Sequence, residues 1–445
     1  MLLKFWGTRG TIPSPIRPDQ ITQKLVTALE IAGQQKVDLT DPKAIEAFVG
    51  GLSFKGDTVG GNTTCVTIEL ENDLIIFDAG SGIRELGEAL MDRSNDFAQK
   101  FRFYQGKGRA YIFFTHTHWD HIQGFPFFRP AFVPGNRFTI YYMHPHVEKV
   151  IIDQMKAEWF PIRFSRMTAG LEFHQIQEGE SVNVAGLEIQ GKALQHPGIA
   201  YAYRVENGTS SFVFATDGEY KSLSASHTKE YNDFFSGADV LIFDAMFSVR
   251  DSIIREDWGH SSALIGADIA RQAGVKQLVL FHHDPAAGDD EIWRIRQATV
   301  EYMSQDLSSG PPEVLVATEG LEINLSDAHD FRVGTHMVGD VVVFSLGGRF
   351  DANGAEIFEA QFDELLEQRD MSRIVLSMED VTDISMAGVK ALLEARKQTY
   401  SMALAGLPNN VHRVLELAVT TDFFAIYDEV DTALEALNAS NNERH

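Results

Sequence analysis

Thr115-His116-Thr117-His118-Trp119-Asp120-His121 is the stretch that decides how this chain is read. Three imidazoles and a carboxylate fall close together directly after Ala110-Tyr111-Ile112-Phe113-Phe114, an apolar run with the composition of a buried strand. Side chains alternate with period two in an extended chain, so His116 and His118 share a face, and a turn at Trp119 swings Asp120 and His121 towards them. Such a set can grip two neighbouring cations, whereas any one of these histidines alone would read as a packed or surface residue.

Further ligand types stand downstream, each after a β-prone apolar run: His196 in Leu194-Gln195-His196-Pro197-Gly198, Asp217 in Phe212-Val213-Phe214-Ala215-Thr216-Asp217-Gly218, and His282 in Leu278-Val279-Leu280-Phe281-His282-His283-Asp284. A scaffold that delivers polar groups at strand mouths is the usual way to present a reactive site on loops. The spacing is HxHxDH, and with it the chain resembles the metallo-β-lactamase superfamily of dinuclear metallohydrolases, which implies an αββα sandwich. By that resemblance one ion takes His116, His118 and His196, the other Asp120, His121 and His282, and Asp217 bridges them. Adjacent strand residues point to opposite sides, so only one of His282 and His283 is a ligand; the family pattern favours His282. Cys65, the single cysteine, reads as a small buried hydrophobe.

A chain of 445 residues exceeds one typical domain, and a formal charge of −25 bears on its partners. So acidic a surface repels phosphate backbones, and without a basic patch the expectation is a small phosphodiester substrate and no nucleic acid. Small anions stay accessible because bound cations reverse the local field. One cysteine, no signal-like start and no run near 18 apolar residues lead to the expectation of a cytoplasmic protein without a membrane partner.

Residues 1–327 alternate short strands and amphipathic helices, and the superfamily resemblance covers this whole stretch. Phe5-Trp6-Gly7-Thr8-Arg9-Gly10 and Gly60-Gly61-Asn62-Thr63 are similar to the ribonuclease Z and cyclic-phosphate phosphodiesterase branch. An insertion from Asp19 to Gly56 shows helical spacing in Ile21, Leu25, Ala28, Leu29 and Ile31, and suits a pocket mouth, a homodimer interface or a solvated lobe. His144 to Phe173 reads as a core-facing helix, with a lid over the site as the alternative. Asp78, ending Leu74-Ile75-Ile76-Phe77, is placed to accept hydrogen bonds from the turn that carries His116 to His121.

Residues 335–440 change to a βαβα rhythm: a strand at Val341-Val342-Val343-Phe344, a helix through Ile357, Phe358, Phe362 and Leu365, a strand at Ile374-Val375-Leu376 and a helix from Ser385. Asp380-Val381-Thr382-Asp383-Ile384-Ser385-Met386-Ala387-Gly388 resembles the STAS domain of anti-sigma-factor antagonists. There the pattern has an Asp and a phosphorylatable Ser before the glycine; here Ser385 and Met386 occupy those places, so Ser385 reads as a helix cap and the domain as a dimerising module or one that docks a signalling partner.

The candidate catalytic residues are Asp120, His260 and Asp244. His260 opens a helix in Trp258-Gly259-His260-Ser261-Ser262-Ala263, where resemblance to the ribonuclease Z-like branch makes it the proton donor and Asp244, at the end of Val240-Leu241-Ile242-Phe243, its orienting acid. Carboxylate plus imidazole suits two divalent ions, Zn or Mn with Fe allowed. The expected activity is hydrolysis of a cyclic nucleotide or related cyclic phosphate; the alternatives are ribonuclease Z-like RNA 3′ processing and a non-catalytic signalling sensor.

Overall fold

The structure is a computed structural model that describes residues 1–52, 58–208, 210–304, 312–325, 331–339, 341–368, 373–399, 401–418 and 421–439. It divides into two compact units, Met1–Ile323 and Asn324–His445.

Two seven-stranded sheets carry the first unit. One runs, edge to edge, β14 (Glu322–Asn324), β1 (Leu2–Gly7), β2 (Cys65–Glu69), β3 (Leu74–Phe77), β4 (Arg109–Phe114), β5 (Arg137–Tyr142) and β6 (Gly170–Gln175). The other runs β13 (Glu313–Val316), β12 (Gln277–Phe281), β11 (Val240–Asp244), β10 (Ser211–Ala215), β9 (Ala200–Glu206), β8 (Leu187–Leu194) and β7 (Ser181–Val184). Period-two alternation assigns each strand face. On β3 and β4, Leu74, Ile76, Ala110, Ile112 and Phe114 meet Ile83, Leu86 and Leu90 of helix Gly82–Met91, while Phe77 and Phe113 turn the other way into the layer between the sheets. There Phe77 meets Tyr203, Phe212 and Phe214 of the opposite sheet at 5.3–5.9 Å between ring centroids. Truncating such a buried ring to alanine costs about 3–5 kcal/mol. The second sheet's outer face, Leu241, Phe243, Leu278 and Leu280, is covered by Ala263, Ala267 and Ala270 of helix Ala263–Gln272. Helix, sheet, sheet, helix is the αββα order.

The insertion forms helices Pro18–Gln35 and Pro42–Gly51, and its last part, residues 53–57, lies outside the described residues. Ile21, Leu25 and Leu29 are exposed. In the segment from His144, Val147, Ile151 and Met155 are buried in the core beneath the first sheet, as a core-facing helix requires.

The second unit is a five-stranded sheet in the order β15 (Arg332–Val338), β16 (Val341–Phe350), β17 (Arg373–Ile384), β18 (Ser401–Ala405), β19 (Ala425–Tyr427). Only the β15–β16 pair is antiparallel. Phe344, Leu376 and Leu404 pack on Phe358, Phe362 and Leu392 of helices Ala352–Gln368 and Met386–Lys397, whereas Val343, Val375 and Ala403 face Ala433, Leu434 and Leu437 of helix Val430–Ala439. Both units are α/β. The Ser385 hydroxyl accepts from the backbone N–H groups of Ala387 and Gly388, so it caps the helix that Met386 begins.

Candidate metal centre

Three of the strands that feed this centre end by breaking their own regularity. Asp78 after β3, Asp217 after β10 and His282 after β12 adopt φ of 58°, 56° and 56°, a left-handed backbone uncommon outside glycine. A residue held there persists only where its surroundings over-determine it, and such residues cluster at functional sites. Beyond β4, His118 precedes the short helix Trp119–Ile122, which brings Asp120 and His121 round to His116.

Asp217 is the centre of the arrangement. Its Oδ2 lies 3.7 Å from Nε2 of both His116 and His196. Its Oδ1 lies 3.3 Å from His121 Nε2 and 3.2 Å from His282 Nε2. Asp120 Oδ2 is 3.3 Å from His121 Nε2 and 3.1 Å from His282 Nε2, and His118 Nδ1 is 3.0 Å from His196 Nε2. The groups His116, His118, His196, Asp217 and Asp120, His121, His282 each offer ligand atoms within 4.8 Å of one another. All seven residues named from the sequence are brought together. His283 is not among them: it turns away, and its Nε2 meets the Ala317 carbonyl oxygen at 2.9 Å. Burial holds its pKa down at about 3, so the ring is a neutral donor there.

The donor chemistry fits cations. His116 Nε2 and His121 Nε2 are buried without a hydrogen-bond partner, a condition that costs about 1–3 kcal/mol per group unless something else binds the atom. Burial, then neighbouring His121, pushes the His116 pKa well down, as a neutral ligand needs. Burial also works against charge on His121, yet Asp217, Asp120 and Asp78 outweigh it and raise its pKa strongly, a surplus of negative charge that divalent ions would neutralise.

The opposite ring nitrogens are held from behind. His121 Nδ1 meets Asp78 Oδ2 at 2.7 Å, and Asp78 also accepts from the Thr115 N–H and hydroxyl, both at 2.8 Å. His116 Nδ1 lies 3.0 Å from the Thr115 hydroxyl. His196 Nδ1 meets the Gly259 carbonyl at 2.8 Å. Such contacts fix ring orientation and leave Nε2 for the ion.

Two supports escaped sequence reasoning. Thr11, at φ 64°, donates its N–H to Asp120 Oδ2 at 2.7 Å; a β-branched residue in that region is an outlier. Glu219 is buried, and its carboxylate accepts the N–H groups of Asp257 at 3.0 Å and Gly259 at 3.3 Å, tying down the loop whose Gly259 carbonyl orients His196. Its one visible signal was an acid two residues after Asp217. Gly259 has φ +85°, and a Cβ there would come within 2.2 Å of His196 Nδ1, so glycine is required on both counts.

Beside the cluster, His260 Nδ1 meets Asp244 Oδ2 at 2.7 Å. Asp244 is fully buried, and its Oδ1 accepts the Met246 N–H at 3.0 Å. Burial lowers the His260 pKa, but the Asp244 charge and hydrogen bond more than offset this and carry it to about 9. Ligand-capable atoms of Asp244 and His260 also approach those of Asp217 and His282 within 4.8 Å. The His260 proton is therefore directed at Asp244 from one ring nitrogen, and the ring itself stacks on His282 at 5.1 Å.

A fold of this kind with such a cluster defines a metal-dependent hydrolase. Residues 75–283 match the Beta-lactamase superfamily domain and residues 334–433 the STAS domain. Ribonuclease Z of Myxococcus xanthus is 24% identical over 322 residues, covering 62% of this chain and 97% of the relative. Ribonuclease Z of Haloarcula marismortui is 22% identical over 333 residues, covering 63% and 97%. Among solved structures, the short form of human tRNase Z aligns with 16% identity and a TM-score of 0.45 over 73% of this chain and 99% of its own. Residues 75–283 thus form a domain of the metallo-β-lactamase superfamily, similar to the ribonuclease Z relatives, and residues 334–433 a STAS domain.

These relatives correct one expectation. An acidic balance of charge led to no nucleic acid as a partner, yet proteins named ribonuclease Z align with this chain over nearly their whole length. Net charge is a property of the whole surface, while a substrate responds to the field at the site, where bound cations would dominate. Among the described residues no helix is long and apolar enough to cross a membrane.

Proposed function

We propose that this centre is a two-metal phosphodiesterase site, with His116, His118 and His196 holding one divalent ion, Asp120, His121 and His282 the other, and Asp217 between them. The observation that carries the reading is the division of Asp217: one carboxylate oxygen faces each imidazole set. Two divalent cations, Zn or Mn, would supply positive charge for the phosphate oxygens and lower the pKa of water towards neutrality.

The chain's own groups do the rest. Asp78, Thr115, Gly259 and Thr11 hold the ligands in one orientation, so little reorganisation accompanies the reaction. His260, charged and anchored on Asp244, is the donor for the leaving oxygen, and Asp244 keeps its Nδ1 side occupied so that Nε2 carries the proton to be given away. Only a group that leaves as an alkoxide needs that proton, which suits nucleotide esters more than activated aryl esters.

The leading substrate is a cyclic nucleotide or related cyclic phosphate, because the fused STAS domain goes with signalling. The second reading is RNA 3′ processing, favoured by relatives named ribonuclease Z that align over 97% of their length. Metal analysis together with a hydrolysis panel tests both: 3′,5′- and 2′,3′-cyclic nucleotides, a linear dinucleotide, an aryl phosphodiester, a structured RNA with a 3′ extension and a thioester. Cleavage of the thioester alone would remove the phosphodiesterase assignment, and cleavage of RNA without the cyclic esters would select the second reading.

A further inference from the structure

Two large indoles stand in water beside the centre. Trp119 is 82% and Trp258 61% exposed, although a large apolar side chain is stabilised by burial. Both are tied to the ligands. Trp119 follows His118 directly, and Trp258 precedes Gly259, whose carbonyl holds His196 Nδ1 at 2.8 Å. His118 Nδ1 and His196 Nε2 are 3.0 Å apart. Of the candidate ligands, His118 is exposed, while the His196 side chain, like His116, Asp120, His121, Asp217 and His282, is buried. The indoles therefore adjoin the edge by which the cluster meets solvent.

The Trp258 side is also braced. Arg255 Cζ lies 5.6 Å from the Trp258 ring centroid and 5.0 Å from that of Phe247. Phe247 in turn meets the His260 ring edge-on at 5.4 Å. A guanidinium and two aromatic faces thus run up to the proton donor, where the leaving group of a phosphodiester would sit. Stacking works for any planar ring and needs no net positive surface, which this chain of formal charge −25 lacks.

We propose that Trp119 and Trp258 form a stacking subsite for a nucleobase carried next to the scissile phosphate. The inference rests on the phosphodiesterase reading and narrows its substrate to an ester that bears a base. The test is calorimetric and needs no turnover: adenosine 5′-monophosphate against ribose 5-phosphate, titrated into the metal-loaded full chain. One stacked base is worth about 1–3 kcal/mol, so the nucleotide binds about fivefold to 150-fold tighter in the wild type. In the Trp119→Ala/Trp258→Ala chain the preference falls to within about twofold, and Trp119→Phe/Trp258→Phe, which keeps a ring at each place, retains about threefold or more. Both side chains are exposed, so the variants keep the fold, checked by unchanged metal content.

Equal affinities in the wild type, or a preference that survives the double alanine change, overturns the subsite. Failure of the underlying reading looks different: no diester in the hydrolysis panel is cleaved. An oligoribonucleotide ending in adenosine, used as a third ligand, separates the sources of the base. A tryptophan-dependent gain equal to that of the mononucleotide assigns it to a small ester, and a gain several-fold larger assigns it to an RNA chain; either upholds stacking.

Discussion

The two α/β units handle the ends of their strands in opposite ways. In Met1–Ile323 the strand mouths carry polar residues in left-handed backbone, among them Asp78, Asp217 and His282, and buried imidazole nitrogens without partners. In Asn324–His445, among the described residues, positive φ is confined to Gly339, Gly348 and Gly406, and the mouth of β17 is closed by a Ser385 cap that satisfies two backbone donors. Left-handed backbone at a non-glycine residue costs of order 1–3 kcal/mol. Part of the first unit's strain and unmet bonding thus lies where an ion can repay it. In the second unit the same βα architecture ends in ordinary capping.

Breaking the contrast at its centre should have the largest effect. Asp217→Ala removes the carboxylate that faces both imidazole sets; elemental analysis should find bound metal falling from two ions to one or none, with kcat/KM down by about a thousandfold or more, since several kcal/mol of charge stabilisation go with it. Next comes His260→Ala, expected to cost about 10²–10⁴-fold on an alkyl diester. The loss should be far smaller on a p-nitrophenyl diester, and metal content should hold; a fall in bound metal would make His260 a ligand instead.

Glu219→Ala sharpens the comparison from outside the ligand set. Freeing the N–H groups of Asp257 and Gly259 should loosen the grip on His196 and weaken metal affinity about 10–100-fold, read by competition with a chelating dye. Chelation of the wild type removes about 4 kcal/mol of stabilisation for each ion held at a thousandfold its Kd. Hydrogen exchange should then quicken around Asp217 and His282 and stay unchanged around Ser385. Smallest of all, Ser385→Ala should cost about 1 kcal/mol, the value of one N-cap, in denaturant unfolding, with metal content and turnover as in the wild type.

Legibility followed locality. His116, His118, Asp120 and His121 were readable because one strand and one turn carry all four. His196, Asp217 and His282 were readable as polar residues behind apolar runs, but which neighbour of the His282-His283 pair faces inward was decided by a left-handed backbone turn that no propensity announces. β15 left no pattern because it is an exposed edge strand, with Met337 and Val338 themselves in solvent, so it has no buried face to impose alternation. Glu219 and Thr11 stayed hidden for another reason: they work through backbone N–H groups, which every residue owns.

By itself the sequence determined the α/β layering, the change of rhythm between the two domains and the residues able to hold cations, because periodicity and donor chemistry are properties of short segments. Only the tertiary structure decided that Asp217 shares its oxygens between two histidine sets, that His260 leans on Asp244, and that Glu219 steadies the loop behind His196. Those relations join residues far apart along the chain, and their distances exist only once the two sheets have packed face to face.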